Sequence, residues 1–193
     1  MNPKELSVIL CERSEIRSFI ETHHYSKSIN GVKSTFCFKI LFKESLVGAI
    51  LFGQLSTTAW KKFSSSEEEV LELRRLVLVD SAKKNSESRV ISQAIKQIKK
   101  ASSTVKFIVS YADPNYGHTG VIYKASNFKF VGMSGKDKGF VDTETGKLYH
   151  SRALRTKYKG AYKPFVLRLR EKLDKGLLKP IDLKPKYCYV YAL

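Results

Sequence analysis

The stretch VKFIVSYADPNYGHTGVIYKASNFKFVGM, from Val105 to Met133, decides the fold that this sequence predicts. Its apolar start predicts a strand, and we expect the strand to end at Asp113, because the proline that follows lacks an N–H and favours extended geometry before it. A helix of about two turns is predicted to follow, ending by Ala125, and FKFVGM predicts a second strand. Open α/β sheets bind ligands beyond the carboxyl ends of their strands, so we expect Asp113 and Tyr123 to face one region.

Charge is the second strong feature of the chain. It has 193 residues, 42% of them apolar, which predicts one globular domain with a real core. Lys and Arg number 35 against 18 Asp and Glu, and the resulting charge of +17 favours polyanionic partners, above all nucleic acid. Tyrosines alternate with cations near the carboxyl end, a pattern typical of surfaces that track phosphates and stack on bases.

Cysteine usage and hydropathy indicate the compartment. The three cysteines are far apart and odd in number, so a disulfide framework is not expected. The sequence shows no signal peptide pattern and no apolar run of about 18 residues, which predicts neither secretion nor a membrane span. The cytoplasm is the expected location.

The apolar patterns predict an alternation of helices and strands in one domain, residues 1–193, on which residues 134–193 pack as a basic extension. We expect helices over residues 12–22, 90–98 and 165–173, the last ended by Gly176, and strands over residues 35–42, 46–55, 71–79, 105–112 and 186–193. The strand at 71–79, the helix after it and the strand at 105–112 form a β-α-β unit.

This order of elements resembles the GNAT acyltransferase fold, an α/β (α+β) architecture with a mixed central sheet flanked by helices. The resemblance implies that the strand Leu71–Val79 offers backbone N–H groups to the pantetheine of a cofactor. It also implies that the next turn holds a pyrophosphate at a helix start, where N–H groups and the helix dipole favour an anion. The family pattern is degenerate, with Ser88 in place of a glycine and Val90 at the second small position. The cofactor-binding candidates are Lys84, Asn85, Ser86, Ser88 and Arg89.

Four motifs together are similar to the Mom DNA-modification proteins of bacteriophages, a divergent branch with the GNAT fold. They are HHYS at His23–Ser26, ELRRL at Glu72–Leu76, SYADPNYGHTGVIYKASNF at Ser110–Phe128, and the terminal KPKYCYVYAL. The resemblance implies a transferase that adds a carbamoylmethyl (glycinamide) group to adenine N6 in double-stranded DNA and so blocks host restriction. The donor is left open between acyl-CoA, a charged tRNA and another activated glycine source, all of which are compatible with a basic protein and a phosphate-binding turn, and a phosphate-containing donor is expected.

Four residues are the catalytic candidates. The carboxylate of Asp113 suits an acceptor for the adenine amine, although an aspartate before a turn is also a common helix cap. Tyr123 matches the GNAT tyrosine that protonates a leaving thiolate, although a tyrosine on a short helix is otherwise a core residue. His24 and Tyr25 match the HY pair of the Mom motif, and a neutral imidazole can accept a proton.

Arginines and motif neighbours supply the substrate-binding candidates. Arg74 and Arg75 are expected on opposite faces of a strand, so that one of them either clamps an anion or forms a structural ion pair. Motif membership adds Ser26, Tyr116 and His118, and the basic extension adds Arg152 and Arg155 as DNA contacts. His23, His24, His118 and Asp113 would suffice as nitrogen and oxygen ligands for non-haem iron, but no ligand spacing favours such a site.

Two other functions fit parts of the same sequence. An ordinary GNAT N-acetyltransferase would use acetyl-CoA on a protein, an RNA or a small amine. A noncatalytic nucleic-acid-binding module would keep only the fold and the charge. The reading as a DNA-modification enzyme predicts that Asp113, Tyr123, His24, Tyr25 and one of the two arginines converge on one cleft.

Overall fold

Four α-helices and twelve β-strands form in residues 1–56 and 58–193, the part of the chain that this computed structural model describes. In chain order they are β1 (Leu6–Cys11), α1 (Arg13–His23), β2 (Phe36–Phe42), β3 (Ser45–Gln54), β4 (Val70–Leu78), α2 (Ser86–Ala101), β5 (Phe107–Ala112), α3 (Val121–Lys124), β6 (Lys129–Met133), β7 (Asp137–Asp142), β8 (Leu148–His150), β9 (Lys157–Tyr158), β10 (Ala161–Tyr162), α4 (Pro164–Asp174), β11 (Leu178–Leu183) and β12 (Tyr187–Ala192). The contacts divide the chain into two compact units.

The first unit comprises Met1–Ala112, Thr119–Gly132 and Tyr187–Leu193 and is built on a seven-stranded sheet in the order β1-β2-β3-β4-β5-β12-β6. The pairs from β1 to β4 are antiparallel, as is the pair of β5 with β12, whereas β4 and β5 run parallel. The parallel pair follows from the crossover through α2, as the predicted β-α-β unit requires.

Helices cover both faces of this sheet because β2 and β3 alternate their apolar side chains between the two faces. On one face, Val90, Ile91 and Ile98 of α2 pack in the main core with residues such as Phe38 and Phe52. On the other face, Ile16 and Ile20 of α1 pack with Cys37 and Leu51. The result is a mixed sheet flanked by helices, so the predicted fold class is confirmed.

The second unit comprises Asp113–His118 and Met133–Lys186. It contains the three-stranded sheet β11-β7-β8, helix α4 and the two-stranded hairpin of β9 and β10. Its small core is formed by Leu154, Leu169 and Leu178. Lys172 of α4 pairs with the buried Asp142 at 2.7 Å and with Glu144 at 2.8 Å, which ties the helix to the end of β7.

Most predicted elements are present, with shifts of one or a few residues at their ends. The helix after Gly120 is shorter than expected, a single turn rather than about two. The sequence did not predict the strands β1, β7, β8, β9, β10 and β11. The expectation of one domain with a packed extension stays a prediction. In the described residues, no helix combines the length and the apolar content needed to cross a bilayer.

Candidate active site

An opening in the main sheet marks the centre of the candidate site. β4 and β5 are paired over only three residues, from Val70 opposite Phe107 to Glu72 opposite Val109. Just beyond the last pair, the Ser110 hydroxyl donates to the carbonyl oxygen of Leu73 at 3.3 Å. Further on, β4 stays paired with β3 and β5 stays paired with β12, so the two strands part towards their carboxyl ends.

A β-bulge in β4 places both arginines on one face of the sheet, which corrects the expectation of opposite faces. Leu51 of β3 is opposite Arg75 while Phe52 is opposite Leu73, so Arg74 is the extra residue. The leucines at 71, 73, 76 and 78 all pack in the main core, and the alternation therefore slips by one between 73 and 76. Strict alternation fails here because a bulge inserts one residue into a strand, a feature common beside active sites.

The two arginines have different partners. The Arg74 guanidinium forms an ion pair with Glu72 at 2.8 Å and donates to the Ser56 hydroxyl at 2.9 Å. Arg75 donates to carbonyl oxygens, that of Ser28 at 3.4 Å and that of Arg74 at 2.6 Å. Among the described residues, no carboxylate lies within ion-pair distance of Arg75. Burial lowers the pKa of Arg75, and the nearby Tyr25 phenol opposes this shift. The role of Arg75 as an anion clamp stays a prediction.

The loop after α1 brings three predicted residues beside Arg75. His24 is the C-cap that follows α1 and is buried. Its Nδ1 atom accepts the backbone N–H of Ser26 at 3.1 Å and lies 2.8 Å from the Ser26 hydroxyl. Because a backbone N–H can only donate, a neutral His24 carries its proton on Nε2. The rings of His24 and Tyr25 are in contact, with centroids 4.2 Å apart. The sequence thus places an imidazole donor and a half-exposed phenol near the guanidinium.

Tyr123 is more deeply buried than expected. Only 8% of the residue is exposed, and its ring packs in the main core against Phe128 and Tyr189, with centroids 5.7 and 5.5 Å apart. Burial raises the pKa of Tyr123, and a hydrogen bond with Ser110 opposes part of that rise. The phenol therefore stays protonated at neutral pH and meets Ser110 where β4 and β5 part. Its role as an acid stays a prediction.

Asp113 belongs to the second unit and caps a 3-10 turn there. Its Oδ1 atom accepts the backbone N–H of Asn115 at 3.0 Å and the Asn115 amide at 2.8 Å, and its Oδ2 atom lies 3.0 Å from Lys186 Nζ. Burial raises the pKa of Asp113, but the hydrogen bonds from Asn115 and the Lys186 ammonium outweigh it, and the net pKa is lowered. The capping role is thus present, and the carboxylate is ionised at neutral pH. Its catalytic role stays a prediction.

The remaining substrate candidates also lie in the second unit. Tyr116 is half-exposed, and the backbone N–H of His118 donates to the Asp113 carbonyl at 3.1 Å. Arg152 and Arg155 are exposed on a 3-10 turn at Ser151–Arg155. Convergence of the two units' candidates on one cleft stays a prediction.

The predicted cofactor residues surround the start of α2. Asn85 precedes the helix in a left-handed conformation, with φ of 71°. Lys84, Asn85, Ser88 and Arg89 line a cavity of about 830 Å³ that also touches β1. Ser86 is fully buried, and its Oγ atom makes no hydrogen bond within the described part of the chain. A buried hydroxyl without a partner at a helix start is suited to an acceptor such as a phosphate oxygen.

Metal binding has no support from the side-chain arrangement. Within residues 1–56 and 58–193, no group of three or more His, Cys, Asp or Glu side chains is placed to hold an ion. The His24 Nδ1 atom instead accepts a hydrogen bond from Ser26. The Asp113 carboxylate accepts a hydrogen bond from Asn115 and forms an ion pair with Lys186.

Comparison with known proteins identifies the family of the chain. The model of the Mom protein family matches residues 5–193. The chain belongs to the Mom protein family. It is 31% identical over 169 residues to the methylcarbamoylase mom of Escherichia phage Mu, an alignment that covers 86% of this Mom-family chain and 68% of the phage Mu protein.

Solved structures with the same fold are acetyltransferases. A Bacillus subtilis acetyltransferase in complex with CoA has a TM-score of 0.56 at 14% identity, covering 97% of this chain and 99% of that one. A GNAT family acetyltransferase from Elizabethkingia anophelis with acetyl-CoA bound has a TM-score of 0.51 at 7% identity, covering 98% and 99%. The Mom-family chain therefore has the GNAT acetyltransferase fold.

Glu72 is the site residue that sequence reasoning missed. It is the last residue of β4 that pairs with β5, it holds Arg74, and its charge acts on the pKa values of Tyr111, Tyr123 and Arg75. The available signal was an acidic side chain two residues before Arg74, since positions i and i+2 of a strand share a face.

Proposed function

We propose that this Mom-family chain is a transferase that modifies the N6 amino group of adenine in double-stranded DNA with a carbamoylmethyl-type group, which protects the DNA from restriction. Membership of the Mom family carries the proposal. It is supported by the arrangement of Tyr25, His24 and Arg75 on the face that also holds Glu72, beside the opening between β4 and β5. The charge of +17 suits a DNA substrate.

The chemistry assigns a task to each group. The adenine amine is a weak nucleophile because its lone pair is delocalised into the ring, so attack needs an activated electrophile and a proton acceptor. Asp113 is ionised and accepts a hydrogen bond from the amine. Tyr123 is protonated and donates to the leaving group. Arg75, whose partners are carbonyl oxygens, holds an anionic part of the donor.

A phosphate-containing donor is part of the proposal, and acyl-CoA is the form that the fold favours. The residues at the start of α2 fit such a group: Lys84 and Arg89 supply charge, and Ser86 Oγ is a buried hydroxyl without a partner in the described residues. The donor would supply the carbon that bonds to N6, which is a methylene carbon for a carbamoylmethyl adduct and a carbonyl carbon for a glycyl adduct, and the bond from that carbon to the donor's leaving group would break. The chain's own residues bind the donor, orient it and move the protons.

Mass spectrometry of nucleosides tests this function. DNA from bacterial cells expressing the protein should contain a modified deoxyadenosine whose mass increase matches the adduct, and the Arg75→Gln and Tyr25→Phe variants should lose it. Lys99→Gln, on the exposed last turn of α2, is the matched control and should keep it. Unmodified DNA from cells with abundant folded protein would refute the proposal.

A GNAT N-acetyltransferase is the second candidate, favoured by the fold and by the cationic cavity at the start of α2. It predicts unmodified deoxyadenosine together with acetylated protein, RNA or small amines in the same cells. A noncatalytic nucleic-acid-binding module predicts neither product, and DNA binding that survives loss of Arg75 and Tyr25.

A further inference from the structure

The two-stranded hairpin of β9 and β10 is closed by a tight two-residue turn. Tyr158 is opposite Ala161, and Lys157 is opposite Tyr162, so only two residues form the turn. Both of them, Lys159 with φ of 49° and Gly160 with φ of 82°, have positive φ angles. This is the requirement of a type I′ turn, whose twist matches that of the flanking strands.

One tyrosine of the hairpin fastens it to the rest of its unit. The Arg170 guanidinium of α4 lies 4.7 Å from the centroid of the Tyr162 ring. The same guanidinium donates to the Tyr162 hydroxyl at 3.2 Å and to the Leu154 carbonyl oxygen at 3.4 Å. Tyr162 is thus an anchor, and both residues of the opposite strand, Lys157 and Tyr158, are exposed.

The other tyrosine of the hairpin is presented to solvent. Tyr158 is 62% exposed, and the ammonium groups of Lys159 and Lys163 lie 5.8 and 5.4 Å from its ring centroid. No acidic residue occurs from Ser151 to Arg170, and the cationic residues of this segment are Arg152, Arg155, Lys157, Lys159, Lys163, Arg168 and Arg170. An exposed ring between cations, without neutralising carboxylates, is suited to a polyanion that also carries flat bases.

We propose that the β9–β10 hairpin docks in the major groove of DNA, with its lysines on the phosphates and Tyr158 against the base edges. A two-stranded ribbon fits the major groove, which is about 12 Å wide, but not the minor groove of about 6 Å. The inference rests on the proposed function, because adenine N6 lies on the major-groove edge. The hairpin therefore approaches the DNA from the side that carries the reacting amine.

Binding measurements on the full chain test the hairpin. The salt dependence of affinity for a fluorescent 20-base-pair duplex would be compared for the wild type and for Lys159→Gln/Lys163→Gln. The double variant should bind more weakly, and the slope of log affinity against log salt should fall by about 1.8, since each lost phosphate contact contributes about 0.9. The matched control, Lys99→Gln/Lys100→Gln, removes two charges from the end of α2 and should keep the wild-type slope.

Tyr158 requires separate variants. Tyr158→Ala should weaken binding by roughly fivefold or more, as for loss of one base contact, without changing the salt slope, and Tyr158→Phe should restore it. A duplex that contains glucosylated hydroxymethylcytosine, whose sugar fills the major groove, should bind the wild type more weakly than the unmodified duplex does. On this modified duplex, Tyr158→Ala should have the same affinity as the wild type. Thermal melts should coincide for all variants, because the changed side chains are exposed.

The outcomes separate this inference from the proposed function. Wild-type affinity and slope in the hairpin variants would overturn the docking proposal, even where deoxyadenosine is modified. Loss of binding in those variants would support it, even where no modified deoxyadenosine is found, and the function would then fail alone. A wild type that does not bind duplex DNA would refute both.

Discussion

The Glu72 Oε2 atom lies 2.8 Å from the Arg74 Nη1 atom, on the same strand and two residues apart. Both side chains are largely buried, and the bulge at Arg74 turns Arg75 towards the same face. Adjacent arginines in one motif therefore have different roles. Arg74 neutralises a carboxylate, whereas Arg75 is left with backbone carbonyl partners and is the residue proposed to bind an anion of the donor.

This difference predicts opposite effects of two matched substitutions. Arg74→Gln should lower the free energy of unfolding by about 2 kcal/mol, because the Glu72 carboxylate loses its charged partner in a largely buried position. Arg75→Gln should change stability less but abolish the modified deoxyadenosine. Chemical denaturation and nucleoside mass spectrometry measure the two effects. Equal destabilisation by both variants would contradict the assignment.

Tyr123 can be separated from an ordinary core tyrosine by comparison with Tyr189. Each hydroxyl makes a hydrogen bond, Tyr123 with Ser110 and Tyr189 with the Thr119 carbonyl oxygen at 2.8 Å. Both phenylalanine variants should therefore lose about 1 kcal/mol of stability. Only Tyr123→Phe should reduce modification, because only this phenol is proposed as an acid. A normal turnover rate in Tyr123→Phe would remove it from the mechanism.

The lowered pKa of Asp113 predicts a pH-dependent contribution to stability. A carboxyl group with a lower pKa in the folded state than in the unfolded state stabilises the fold above its unfolded pKa of about 3.9, and the effect disappears as the pH falls through the folded value. Asp113→Asn should thus cost roughly 0.5–1 kcal/mol at pH 6 and progressively less below pH 4. Denaturation at several pH values measures this, with the exposed Asp182→Asn as control. A pH-independent difference would mean that Lys186 does not act on Asp113.

Ser86 predicts an unusual separation of stability from binding. Ser86→Ala should leave the thermal midpoint unchanged or slightly raised, because the buried Oγ atom makes no hydrogen bond within the described residues. Titration with coenzyme A should nevertheless show weaker binding, and Arg89→Gln should show it too. Unchanged affinity in both variants would place the donor phosphates elsewhere.

Secondary structure was predictable where apolar periodicity was strong and failed where packing alone defines a strand. The alternation of Val90, Ile91, Ala94, Ile95 and Ile98 on one face identified α2 correctly. β11 escaped prediction because LKPIDL contains a proline and an aspartate, which strands disfavour. It forms nevertheless because it pairs with β7 alone, and an edge strand tolerates proline.

The candidate site was only partly visible in the sequence. Resemblance to the family motif identified Tyr25 and His24, and strand position identified the arginine pair; Tyr25 acts on the pKa of Arg75 and is in ring contact with His24. The orientation of the arginines was missed because strict alternation was assumed, although the leucines at 71, 73, 76 and 78 change their spacing across the arginine pair, where the register against β3 has its bulge. Burial of Tyr123 was also hidden, since it depends on the distant Tyr189.

The three-residue pairing of β4 with β5 has a further consequence for hydrogen exchange. Beyond Glu72, the described part of the sheet gives β4 a partner strand on the β3 side only, so amides directed towards β5 are expected to exchange with solvent faster than those directed towards β3. A donor lying in the opening would slow their exchange. Deuterium uptake by residues 73–78 therefore reports occupancy of the site without any turnover.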